Sequence, residues 1–267
     1  MRLITLDALD LALAALLVLA VGALSMVLRL GLERSLAVGA LRTTVQLLAV
    51  GLVLRAVFAN ADPLWLALMA TVMLLVAGRE VMARQRRRFA GPWGYGLGTL
   101  AMLASSFSIT LVALTVIVRV EPWYTPQYAV PLLGMLLGNT MSGIALGLDR
   151  LTQGAWERRG AIEAHLTLGH RASVAIADLR REAARTGMIP IINAMAAAGI
   201  VSLPGMMTGQ ILAGAPPVEA VKYQILIMFL ITAGTGFGTV VAVWLGARRL
   251  FDDRERLRLD RLARSRG

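Results

Sequence analysis

The polar side chains placed to do chemistry in this chain are mostly uncharged and lie inside apolar runs. Asn193 and Gln210 fall in residues 188–214 (MIPIINAMAAAGIVSLPGMMTGQILAG), Asn139 in residues 127–148 and Gln46 in residues 36–58. An amide in hydrocarbon gains by facing another polar group or a wet cavity rather than lipid, so each is a candidate for lining an interior path. Asn139 has an equally good use in a hydrogen bond to a neighbouring helix, worth about 1 kcal/mol. Met135, Met141, Met195, Met206 and Met207 present soft thioethers near the same positions. Methionine is more commonly a packing residue at helix interfaces. Of these, Met141, Met206 and Met207 join the amides as pathway candidates.

Hydrolytic chemistry is not expected, and no residue is assigned a catalytic role. The chain has no Gly-x-Ser-x-Gly, no His-Glu-x-x-His, no intramembrane pair of aspartates, and no Gly-x-x-x-x-Gly-Lys-Ser/Thr loop. It therefore cannot hydrolyse ATP unaided. With no cysteine there is no disulfide or thiolate metal site. His165 and His170 are five apart, a spacing that does not align two imidazoles on one helix face, so both are read as surface residues.

Stepping outward from these residues, composition sets the class of element that must hold them. Hydrophobic residues make up 57% and charged residues 16% of 267, far from the soluble norm of about 25% charged. The expectation is an all-α polytopic membrane protein with about seven transmembrane helices, a single permease domain over residues 1–267. The spans read as residues 8–28, 36–58, 63–83, 93–118, 127–148, 188–214 and 218–245. The net charge of +11 is read as topological anchoring rather than nucleic-acid binding, because most arginines flank apolar spans. By the positive-inside rule the loop after residue 83, the segment 149–187 and the tail 246–267 are cytoplasmic, with the N-terminus outside. The tail is expected to be helical, binding either anionic lipid or a partner.

Individual spans carry further signals. Arg42 and Gln46, four apart, share a helix face; Arg42 can snorkel to the interface, whereas Gln46 sits deeper. Residues 127–148 hold two small-xxx-small pairs, Gly134/Gly138 and Gly143/Gly147, built for close helix approach. Ser105, Ser106 and Ser108 in the fourth span read as packing residues. Residues 188–214 are interrupted by Pro190, Gly199, Ser202, Pro204 and Gly205. A backbone so broken is tolerated where it faces protein or a water-filled cavity. Pro190, Pro204 and Gly205 are accordingly taken as helix breaks, with the Pro204–Gln210 stretch as an outer gate.

The segment 149–187, with seven arginines against five acids, is amphipathic in pattern. Within it Glu163 and Ala164 precede Gly169 at the spacing of the glutamate-alanine-x(4)-glycine coupling element of ABC permeases. The physical reading is a short helix whose end docks in a cleft of an ATPase, Gly169 permitting a sharp turn. An interfacial helix lying on the inner membrane surface fits the same pattern.

Several motifs together resemble one family. IPIINAM (residues 189–195), SLPGMMTGQILAG (202–214), PLLGMLLGNTM (131–141) and KYQILIMF (222–229) look like the FetB-type iron-export permeases, membrane subunits of ABC transporters related to plant aluminium-sensitivity proteins. The likeness runs from RTTVQLLAVG (42–51) to RRLF (248–251). It implies a multi-pass protein of the bacterial inner membrane, a homodimer working with a separate ABC ATPase that uses ATP and Mg, and iron as cargo, with no cofactor bound by this chain. A nucleotide sugar or similar solute is the rival cargo, and a non-transporting scaffold coupled to an ATPase the rival class.

Overall fold

A computed structural model describes residues 7–59 and 62–263. Among these, every extended element is helical and the β contacts are isolated bridges. The helices are α1 (Ala8–Val27), α2 (Glu33–Ala59), α3 (Pro63–Ala83), α4 (Pro92–Ile117), α5 (Pro126–Glu157), α6 (Arg159–Thr167), α7 (Ala172–Ala175), α8 (Ala177–Ala197), α9 (Gly205–Leu212) and α10 (Pro217–Arg249). Six of them, α1 to α5 and α10, are long and apolar enough to cross a membrane. The protein is a polytopic all-α membrane protein.

Residues 188–214 do not form one span. They comprise the second half of α8, an irregular stretch at 198–204, and α9. At 1.5 Å per residue the two helical pieces are about 15 Å and 12 Å long, so neither alone crosses a bilayer core of about 30 Å. The break at 198–204 ends on Pro204, as expected, but the rest of the expected Pro204–Gln210 stretch is helical: Gly205 opens α9, and Pro204 stands just before it, the side on which a missing N–H costs least. Pro190 is not a break either, since α8 runs through it. The irregular residues satisfy their own backbone, Gly199 N–H donating to the Ser202 carbonyl at 2.9 Å and Val201 N–H to Ala197 at 3.0 Å.

The chain divides into two compact units, residues 1–62 with 212–214, and the remainder. In the first, α1 and α2 form a helical hairpin. Its turn is closed by Ser25, 2% exposed, whose hydroxyl donates to Glu33 Oε2 at 3.2 Å and accepts from the Leu32 N–H at 3.1 Å. Most large apolar side chains on the hairpin are exposed, Val57 being buried, a surface that lipid solvates as well as protein does.

In the second unit α5 packs most extensively against α10 and α8, with α3 and α4 alongside. Gly143 and Gly187 bring the backbones of α5 and α8 together. A Cβ at Gly143 would stand 2.6 Å from Thr235 Cγ2 and 2.9 Å from the Gly187 carbonyl oxygen; one at Gly187 would stand 2.4 Å from the Gly143 carbonyl oxygen. The pair Gly143/Gly147 thus does what its spacing predicts. Gly138, of the other pair, faces open space.

Basic segments of the second unit gather at one end, as the positive-inside reading requires. Arg86 N–H donates to Asp149 Oδ1 at 2.7 Å, and the Arg87 guanidinium sits 4.0 Å over the Trp156 ring. The C-terminal segment is folded there too, but not as the expected helix. Phe251 pairs with Leu257 and Leu262 with Phe89, Ala263 N–H donates to the Arg88 carbonyl at 2.8 Å, and among the described residues after α10 only Leu259–Arg261 is helical, as a 3-10 turn. The cause is local. Asp252 accepts from the backbone N–H of Arg256 (2.9 Å) and of Arg254 (3.1 Å), which competes with helix formation. The same bonds, that of Arg256 foremost, hold the Asp252 carboxyl at about 2.

Candidate translocation path and coupling surface

At the basic end α6 is anchored by buried Ile162 and leaves Glu163 and Ala164 exposed. The helix closes on a left-handed Gly169 (φ +84). His170 N–H donates to the His165 carbonyl and Gly169 N–H to Leu166, at 3.1 and 3.0 Å. These two bonds define a Schellman turn, which requires a residue tolerant of positive φ at Gly169. Leu168 at its tip is 76% exposed. The result is a short helix ending in a rigid apolar knob, with Glu163 and Ala164 on its flank.

Inside this surface Glu182 of α8 ties down the end of α5. It forms ion pairs with Arg150 and, at 2.9 Å, with Arg158. The hydrogen bond from Arg150 is the main reason its carboxyl titrates below the ordinary glutamate value. Its side chain is 38% exposed, so solvent screens the network and Glu182→Ala is expected to cost only about 1 kcal/mol. A depressed carboxyl stabilises above its unfolded value and ceases to as pH falls through the folded one. Melting curves should therefore separate parent and variant at pH 7 and converge only as pH falls below the ordinary glutamate range.

At the opposite end the outer parts of α4, α5, α9 and α10 enclose a cavity of about 230 Å³. Its polar lining comes from Gln127, Tyr128, Gln210 and Tyr223, its thioethers from Met135 and Met206. Gln210 Oε1 is buried there without a hydrogen-bond partner. Because α9 reaches this end while α8 begins at the basic one, the broken stretch carries the chain across.

Between the two ends lies a seam of hydroxyls where α4, α5, α8 and α10 meet. Thr140 and Thr239 are wholly buried, Thr235 is 2% exposed, and none of the three hydroxyls has a partner. Two π turns in α4, Leu103–Phe107 and Ala113–Ile117, interrupt its ordinary register. With the first of them, adjacent Ser105 and Ser106 are both buried. Tight glycines bring the helices together here: a Cβ at Gly238 would lie 2.5 Å from Thr140 Cγ2 and 2.7 Å from Ser105 Oγ.

The model of UPF0014, described as an uncharacterised protein family, matches residues 8–251. The chain belongs to the UPF0014 family. It is 40% identical over 221 residues to the UPF0014 membrane protein slr1647 of Synechocystis sp., covering 81% of this chain and 83% of that one. Identity to the probable iron export permease protein FetB of Escherichia coli is 31% over 248 residues, 93% of each chain. The protein ALUMINUM SENSITIVE 3 of Arabidopsis thaliana is 31% identical over 216 residues, 81% of this chain and 77% of its own. No solved structure matches.

The architecture of this UPF0014 protein sorts the residues that the sequence marks. Met206 and Gln210 meet in the outer cavity, and Met207 is buried on another face of α9. Met141 packs against the main core. Asn139 and Asn193 are both exposed on the chain surface, and the Asn139 amide donates to the Met135 carbonyl of its own helix at 2.8 Å rather than to Asn193. Gln46 is exposed on α2 of the first unit. The Met195 sulfur lies 2.7 Å from the Thr232 hydroxyl. The seam escapes sequence reading because single Thr and Ser residues on separate helices show no common spacing; Gly234 and Gly238, another small-xxx-small pair, are the signal that points to it.

Proposed function

We propose that this chain is the permease subunit of an ATP-driven ABC exporter of the bacterial inner membrane, moving iron or another metal ion out of the cytoplasm with a separate ATPase. The observation that carries this reading is the exposed turn Glu163–Gly169 at the basic end, closed by the left-handed Gly169 with Leu168 76% exposed at its tip. Alignment with the E. coli probable iron export permease over 93% of each chain supports the cargo. ATP and Mg belong to the partner, and two copies of each subunit follow by analogy with such exporters. The path would run from Asn139 and Asn193 through the hydroxyl seam to Met206 and Gln210, the break at residues 198–204 acting as its outer hinge.

Buried hydroxyls without partners destabilise the closed seam, and they are satisfied when it opens to water or cargo. Thr239→Val should therefore raise the melting stability of the resting protein by about 1 kcal/mol while lowering transport. Loss of stability without any effect on transport would count against the seam as a path.

The lining of the outer cavity contains amides, phenols and thioethers and no carboxylate, which also suits a neutral polar portion of an organic solute. Proteoliposomes holding both subunits separate the cargoes: ATP-dependent movement of iron(II), of other divalent metals and of a nucleotide sugar is measured side by side. Metal movement supports the proposal; movement of the sugar alone defeats the metal assignment. ATPase stimulation with nothing moved would favour a scaffold.

A further inference from the structure

At the basic end the start of α8, the end of α10 and the segment after it bound an open cleft of about 550 Å³, within the range of about 300–1,000 Å³ that small-molecule sites occupy. Arg180 of α8, Arg248 of α10, and Asp252, Asp253 and Glu255 beyond it line the cleft. Arg256 and Arg258 already neutralise Asp252. Among the described residues the other four form no ion pair, so two cations and two anions are held apart around one space. Both sides are braced: the Arg248 guanidinium lies 4.2 Å over the Trp244 ring, and Glu255 Oε2 accepts the Ala172 N–H at 2.7 Å. An apolar track leads away from this charge. Residues four apart share a helix face, so Trp244 continues into Val240 and Gly236, and a Cβ at Gly236 would stand 3.4 Å from Met188 Cε of α8. Val240 and Trp244 are 50% and 42% exposed, which leaves the track uncovered by the chain.

We infer that this cleft binds the headgroup of an inner-leaflet phospholipid that carries both a phosphate and a primary ammonium. The phosphate takes charge-assisted hydrogen bonds from Arg180 and Arg248, and the ammonium donates to Asp253 and Glu255. A zwitterion satisfies all four charges together. A purely anionic headgroup would face two carboxylates without a counter-charge, and a choline headgroup has no N–H to donate to them. The source of the headgroup is a lipid because the cleft opens where a membrane-spanning helix ends. Tryptophan is the residue that sits at headgroup depth, and the track from Trp244 through Val240 to Gly236 gives an acyl chain an apolar surface with room above the glycine. Such a lipid ties the start of α8 to the end of α10 and the segment after it, elements distant in sequence. It lies at the basic end, away from the amide-lined outer cavity, and would be bound whether or not the chain moves cargo.

The full chain in detergent is titrated with phosphatidylethanolamine, phosphatidylglycerol and phosphatidylcholine of the same acyl composition, and retained lipid is counted by native mass spectrometry. The parent should retain phosphatidylethanolamine about tenfold or more tightly than the other two. Arg180→Gln combined with Arg248→Gln should remove that preference. Asp253→Asn combined with Glu255→Gln, whose amide oxygen can still accept the Ala172 N–H, should reverse it in favour of phosphatidylglycerol, a change that mere damage to the fold would not produce. Glycerophosphoethanolamine, the headgroup without acyl chains, should fail to compete at about 1 mM; full competition would make the ligand a free phosphoester and overturn the lipid assignment. Equal retention of the lipids by the parent, or an unchanged preference in the acidic variants, would overturn the inference. So would a disulfide-linked dimer formed in membranes by Val240→Cys, which would put a second copy of the chain on the track.

Discussion

Gly187→Val is expected to leave little folded protein. The first atom it adds stands 2.4 Å from the Gly143 carbonyl oxygen and 2.5 Å from Thr239 Cγ2. A carbonyl oxygen of a neighbouring helix cannot rotate aside as a side-chain end can, so α5 and α8 must separate. Overpacking by one such group costs at least about 1–3 kcal/mol, and the two further methyls of valine place the cost above that range. Gly138→Val, on α5 but with nothing within 4 Å of its Cβ, serves as the control and should retain a single sharp elution peak and the parent melting temperature. Similar behaviour by the two variants would show that α5 and α8 do not cross where Gly143 and Gly187 place them.

The second large effect is on function with the fold intact. Gly169→Pro demands φ near −65° where the turn has +84°, and it removes the N–H that donates to Leu166. Since the turn is exposed, insertion and melting should change little. ATP-dependent transport should fall by about tenfold or more, because the knob no longer presents a fixed shape. Gly169→Ala, which meets only the left-handed penalty of about 1–2 kcal/mol, should be intermediate, and Glu163→Ala should reduce coupling while leaving the turn closed. Full transport by Gly169→Pro would remove the turn from the mechanism.

Residues 63–83 match α3 to the residue, and the fourth and last spans match α4 and α10 closely, because prolines and arginines punctuate both helix and bilayer at those points. The fifth span differs for a physical reason: the apolar run stops at Leu148, but leaving the hydrocarbon does not end a helix, and α5 continues through Asp149 and Arg150 to Glu157. Gly169 was legible as a turn because positive φ has few suitors. The contact between His165 and His170, their Nδ1 atoms 3.1 Å apart, was not, since it depends on the helix ending between them. The hydroxyl seam depends on the register of separate helices, and the tail depends on Asp252 outbidding a helix for the N–H groups of Arg254 and Arg256. Neither leaves a local spacing to read.

The most direct measurement of the coupling claim uses the absence of native cysteine. A single cysteine introduced by Glu163→Cys is cross-linked with a short bifunctional reagent in membranes that also contain the ATPase, alongside Gln127→Cys, whose position lies at the outer cavity. The account predicts a permease–ATPase adduct from position 163, changed in yield by ATP, and none from position 127. An ATPase that co-purifies with the chain yet never cross-links from position 163 would contradict it.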